Sequence, residues 1–136
     1  MKRLAALLVI ALTASAAAAA DPALIEKAKA EKKAAFYANI TAVEPILEAF
    51  SKTYGVTAEY TRVSTNKFVA TVLTEHQAGK LMADVLQAPL PILEILKEKG
   101  VLAAYRPPAM AGYPAWAARD DRIQQFGIEY VGYIYN

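Results

Sequence analysis

Three short polar runs, Asn39-Ile40-Thr41, Ser64-Thr65-Asn66 and Gln87-Ala88-Pro89, each stand between an apolar, strand-like run and an amphipathic helical pattern. Their polar side chains are hydroxyls and amides, which hydrogen-bond without titrating. A loop that leaves a strand at its carboxyl end and enters a helix at its amino end also presents unpaired backbone N–H groups and the positive end of the helix dipole. That combination suits a carboxylate, phosphate or phosphonate. Asn39, Thr41, Ser64, Thr65, Asn66 and Gln87 are therefore the candidate ligand-binding residues. Thr41, Ser64 and Thr65 serve equally well as simple helix N-caps, so the binding reading depends on the three loops converging on one rim.

Other chemistry-bearing residues offer less. His76 is the only histidine and there is no cysteine, so a thiolate site, a disulfide and a zinc site of several histidines are excluded. Glu75 and Gln77 flank His76 in a helical pattern, the setting of a solvated side chain. The mixed-sign runs Lys97-Glu98-Lys99 and Arg119-Asp120-Asp121-Arg122 read as solvated surface. Tyr130, Tyr133 and Tyr135 lie in an aromatic run that reads as packing, with Tyr130 as a further candidate ligand contact. No nucleophile elbow, phosphate-loop lysine motif or dinucleotide glycine fingerprint is present. The chain points to binding rather than catalysis, with no catalytic residue, resident metal or cofactor expected.

Three strand-helix units must position those loops. The first is an apolar strand over 34–38, then a helix with Val43, Ile46, Leu47, Phe50 and Tyr54 on one face, closed by Gly55. The second is a strand over 56–61 and a helix carrying Phe68, Val69, Val72 and Leu73. In that strand Val56, Ala58 and Tyr60 alternate with Thr57, Glu59 and Thr61, the pattern of an edge with one wet face. The third is a strand over 83–87, a break at Ala88-Pro89-Leu90-Pro91, and a helix with Ile92, Leu93, Ile95 and Leu96 that stops at Gly100. Ahead of them, Asp21-Pro22 opens a short helix whose far end, at Lys32-Lys33, lacks a terminating glycine. Crossovers this long imply parallel strands, and the expected class is α/β, a mainly parallel sheet with flanking helices.

Composition sets the compartment. The chain has 136 residues, 56% of them apolar, and part of that excess is a leader. Lys2 and Arg3 precede an apolar run over 4–12, and Ala18-Ala19-Ala20 forms a small-residue cleavage signal, so residues 1–20 read as a secretory signal peptide. The alternative, a membrane anchor, fails on length. With that segment removed, 13 of the 15 basic residues remain against 13 acids. A neutral mature domain has no electrostatic reason to bind nucleic acid. The expected product is a soluble periplasmic protein.

From Tyr105 the chain turns rich in Pro, Ala and Gly, which reads as a surface connection over 105–122. Residues 123–136, IQQFGIEYVGYIYN, read as a strand too apolar for the neighbours available, with more chain expected to follow.

The segments FYANITAVEPILEAFSKTYGV, ADVLQAPLPILEILKEKGVL and GIEYVGYIYN, together with the leader, resemble the periplasmic solute-binding proteins of ABC importers. The similarity is greatest to the group of ferric-ion and small-phosphonate binders. The resemblance implies that 21–104 form a first α/β lobe, that 123–136 cross as a hinge strand to a second lobe, and that the two lobes close on the solute. It implies an inner-membrane ABC permease as partner and a monomeric full-length protein. Ferric binders of that group commonly use a histidine after the first strand and, in one subgroup, an acid after the third. Here those places hold Ile40-Thr41 and Ala88-Pro89. The expected solute is accordingly an anionic organic molecule or oxyanion, with ferric iron as the alternative. A secreted enzyme on the same fold is the alternative from another class.

Overall fold

The computed structural model describes residues 21–128. The leader reading of 1–20 and the candidate Tyr130 fall outside them. The described chain is α/β, with a three-stranded parallel sheet flanked by helices.

Helix α1 (Pro22–Glu31) opens on Asp21, whose carboxylate accepts from the N–H of Ala23 at 2.9 Å, with Pro22 at the first helical position. The missing terminating glycine is replaced by Lys32. It adopts a left-handed conformation at φ 70° and sends its N–H back to the carbonyls of Ala28 and Lys29. Strand β1 (Lys33–Ala38) follows and occupies the centre of the sheet.

Strand β2 (Thr57–Arg62) pairs along all of β1, from Lys33 opposite Thr57 to Ala38 opposite Arg62. Strand β3 (Val85–Gln87) pairs on the other side, with Ala38 opposite Gln87. The order β2-β1-β3 makes β2 an edge, as its alternation predicts: Thr57, Glu59 and Thr61 are exposed, while Ala58 and Tyr60 are half-buried. β3 is shorter than expected. At its start Asp84 substitutes a side chain for ladder bonds, its carboxylate accepting from the N–H of Ala35 at 2.8 Å while its own N–H donates to the Ala35 carbonyl.

Tyr37 and Ala38 are consecutive on β1 and so point to opposite faces. Ala38 packs with Val43 and Leu47, placing α2 (Glu44–Tyr54) on one face. Tyr37 packs with Phe68, Val72 and Leu96, placing α3 (Thr65–Gln77) and α4 (Leu90–Glu98) on the other. Phe68, Val72 and Leu96 are fully buried, as the helical periodicity predicts. Ile46 and Ile95 are exceptions, 54% and 41% exposed. Each sits one residue before a buried leucine, about 100° round the helix, beyond the reach of so narrow a sheet.

Two loops are tighter than their sequence suggests. Thr65 and Asn66 belong to the first turn of α3, leaving only Val63 and Ser64 between strand and helix. Pro91 does not delay α4 but lies in its first turn, where its missing N–H costs nothing.

Residues 105–122 are more than a surface connection. A 3-10 segment (Pro108–Gly112) buries Met110, and Ala117 and Ile123 are almost wholly enclosed. The mixed-sign runs tie this segment to α4 and to the turn after it: Arg119 pairs with Glu94 at 2.7 Å, Lys97 pairs with Asp120, and the Arg122 guanidinium donates to the Leu102 carbonyl beyond the helix. Of the expected strand over 123–136, residues 123–128 make one isolated antiparallel bridge, Ala118 with Gln124. The remainder lies outside the described residues. No helix among the described residues is long and apolar enough to cross a membrane.

Candidate functional site

Because the three strands are parallel and Ala38 lies opposite both Arg62 and Gln87, their carboxyl ends share one edge. The loops after them meet there. The backbone N–H of Asn39 donates to the Gln87 carbonyl at 3.3 Å, and that of Val63 to the Ala38 carbonyl at 3.0 Å. The side-chain amide of Asn39 donates to the Thr65 hydroxyl at 3.0 Å. Asn39 thus bonds both to the last residue of β3 and to the first turn of α3, which follows β2.

Strand order sets how the chain leaves this edge. The chain leaves β1 for α2 on one face and leaves both of its neighbours, β2 and β3, for α3 and α4 on the other. In open α/β sheets ligands usually lie outside the carboxyl ends of the strands. Asn39 and Gln87 stand at adjacent strand ends on this edge.

These two residues also carry an unmet requirement. Asn39 Oδ1 and Gln87 Oε1 are screened from solvent and receive no hydrogen bond from the described residues. An enclosed amide oxygen without a donor costs about 1–3 kcal/mol.

Ser64 stands at the N-cap position of α3, yet its side chain does not cap the helix. Its hydroxyl donates to Asn66 Oδ1 at 2.8 Å. The N–H groups of Thr65 and Asn66 belong to the first turn of α3, where intrahelical acceptors do not exist. The side chains of Ser64 and Thr65 are thus engaged with Asn66 and Asn39 rather than with the helix end. Thr41 opens a single 3-10 turn (Thr41–Val43) that leads into α2, and its side chain is exposed. It lies on the same edge without joining the Asn39 network.

Tyr60 has a part in this edge that its sequence position does not announce. Its hydroxyl donates to the Ile40 carbonyl at 3.1 Å, fastening the β1–α2 loop to β2. The one available signal is that Tyr60 is the last inward-facing residue of an alternating strand, and so ends beside that loop.

Two titratable groups are shifted, both away from the rim. Burial raises the Tyr37 phenol above its ordinary 10.0, and the Glu75 carboxylate at 3.1 Å raises it further by hydrogen bond and charge. Lys97 lowers Asp120 to about 2, aided by the N–H groups of Arg122 and Ile123, which donate to its other carboxylate oxygen. His76 is exposed. Among the described residues no group of three or more His, Cys, Asp or Glu is placed to hold a metal ion. Two open depressions, one along α3 from Lys67 to Glu75 and one between α2 and β2, include none of the six described candidates.

Comparison with known proteins adds no assignment: no protein-family model matches the chain, and a search of curated proteins finds no match.

Proposed function

We propose that this chain is the substrate-binding component of an ABC importer, and that it captures a small solute with an anionic group in the periplasm. The observation that carries the reading is the meeting of Asn39, Thr65 and Gln87 at the carboxyl edge of a parallel sheet, where β1 and β3 send their chains to opposite faces. In the bound state the first-turn N–H groups of α3 and the Ser64 and Thr65 hydroxyls hold the anion. Asn39 and Gln87 add amide contacts, and Thr41 flanks the entrance.

The rim side chains are neutral hydroxyls and amides. A trivalent cation takes anionic oxygen ligands, so this chemistry favours an anion over ferric iron. None of the six rim residues is an acid, a base or an activated nucleophile, which favours capture and release over turnover. In this reading most of the affinity comes from closure of a second lobe over the solute.

The test is an NMR titration of ¹⁵N-labelled residues 21–136 with phosphate, acetate and methylphosphonate in turn. Weak, saturable shifts of the amides of Asn39, Thr65, Asn66 and Gln87 are expected. Shifts confined to other parts of the chain, or none with any anion, refute the assignment of this rim. Micromolar or tighter binding by this chain alone would refute the role given to lobe closure.

A further inference from the structure

Strand β2 ends the sheet on one side, and part of its main chain is left without a partner there. The N–H groups of Thr57 and Val63 donate to the Lys32 and Ala38 carbonyls on the β1 side. Alternation then turns Thr57, Glu59 and Thr61 toward β1 with their backbone groups, and Ala58, Tyr60 and Arg62 toward the free edge. Ser51, reaching down from α2, already accepts from the Ala58 N–H at 2.9 Å. Tyr60 and Arg62 keep an N–H and a carbonyl each with no partner among the described residues. Beside this edge runs the open groove between α2 and β2, lined by Glu44, Leu47, Glu48, Ser51, Ala58 and Tyr60. Glu44, Glu48 and Arg62 are exposed, and none of them enters an ion pair among the described residues.

We propose that β2 pairs antiparallel with β2 of a second copy of this chain, so that two sheets join edge to edge about a two-fold axis through Thr61. Such an axis, normal to the sheet, keeps each face on its own side, so odd residues stand opposite odd and even opposite even. Centred on Thr61, it sets Tyr60 opposite Arg62 of the second copy and joins their free N–H and carbonyl groups, while the Ser51 bond stays intact. Centred on Tyr60, it would need the Ala58 N–H that Ser51 holds. Centred on Arg62, it would set two guanidinium groups directly opposite, a destabilising pair. In the Thr61 register Arg62 of each copy lies on the groove face beside Tyr60 of the other, where Glu48 and Glu44 supply the missing charge. On the opposite face Thr57, Glu59 and Thr61 are exposed, so no described helix obstructs the second copy. The pairing departs from the monomer that the family resemblance implies, and it does not depend on the solute-binding reading.

Thr61 would meet its counterpart as a non-hydrogen-bonded pair, with Cα atoms about 4.5 Å apart, a span that a disulfide bridges. The chain has no native cysteine. Thr61→Cys, expressed from the full sequence and mildly oxidised, is therefore expected to form a covalent dimer. Thr57→Cys, also exposed and on the same face but farther from the axis, is expected to form little. Adding Arg62→Glu sets acid beside acid and is expected to cut the Thr61→Cys dimer yield about tenfold. Adding Glu44→Arg and Glu48→Arg to that variant exchanges the charges and is expected to restore the yield. No dimer through position 61, equal yields at 61 and 57, or a yield indifferent to the charge reversal would each overturn the proposal. A Thr61→Cys chain that stays single but captures a cysteine-bearing octapeptide of alternating threonine and arginine would also overturn it, and would assign the edge to a foreign strand.

Discussion

The side-chain amide of Asn39, at the end of the central strand, donates to the hydroxyl of Thr65, in the first turn of α3, at 3.0 Å. This bond spans 26 positions of sequence and holds two of the three strand-end loops in fixed relation. Thr65→Val removes the acceptor and keeps the shape. It is expected to lower stability by about 1 kcal/mol, read from urea unfolding, and to loosen the rim. Thr65→Ser keeps the hydroxyl and is expected to stay close to the parent. Equal losses in both variants would mean that the methyl packing matters and the bond does not.

Gln87 presents the opposite case, an enclosed side-chain oxygen with no donor among the described residues. Gln87→Met is expected to raise stability by about 1 kcal/mol, because an unsatisfied acceptor disappears without loss of volume. Chemical denaturation checks it. A destabilised variant would show that Gln87 makes a bond in solution that keeps it in place.

Tyr37 donates to Glu75 and so ties β1 to α3 on the face opposite α2. Its pKa is raised, first by burial and then by Glu75. A raised folded pKa means that the stabilisation is complete below the ordinary value of 10.0 and is lost as pH climbs through the higher folded value. Alkaline unfolding followed by tyrosinate absorbance is expected to be steeper in the parent than in Tyr37→Phe. Identical alkaline profiles would remove Tyr37 from this role.

Asp120 works at the other end of the scale. Its carboxyl lies at about 2, lowered chiefly by Lys97, against an ordinary 3.8. A depressed folded pKa contributes stability that is present above the ordinary value and lost as pH falls toward the folded one. Docking of residues 105–128 on α4 is therefore expected to weaken from pH 3.8 down to about 2. Fluorescence of Trp116, the only tryptophan, reports it. Asp120→Asn is expected to show weakened docking already at neutral pH and little further acid dependence. The same acid transition in parent and variant would assign the effect to another carboxylate.

Lys32 is the one non-glycine residue among those described with a positive φ. Lys32→Gly relieves a left-handed conformation that costs an L-residue roughly 1–2 kcal/mol, partly offset by the greater freedom of glycine in the unfolded chain. A small rise in the thermal midpoint is expected, and a fall would show that the lysine side chain contributes more than its backbone costs.

The sequence by itself determined the units: which runs are strands, which faces of the helices carry Phe68, Val72, Leu47 and Leu96, and that β2 is an edge. Those are local properties, written in periodicity, turn residues and caps, because a residue's neighbours two, three and four positions away share its face. It also placed Asn39 and Gln87 at strand ends and Thr65 beside the start of a helix. The sequence did not show that Lys32 would stand in for a glycine, that Ile46 and Ile95 would remain exposed, or that Arg119 and Asp120 would reach back to α4. Each depends on what lies alongside in space, as does the strand order β2-β1-β3. Only the tertiary structure decided that Asn39 would meet Thr65 and Gln87 together and leave two amide oxygens without donors, because hydrogen-bond partners so far apart in sequence are chosen by packing and leave no periodic trace in the chain.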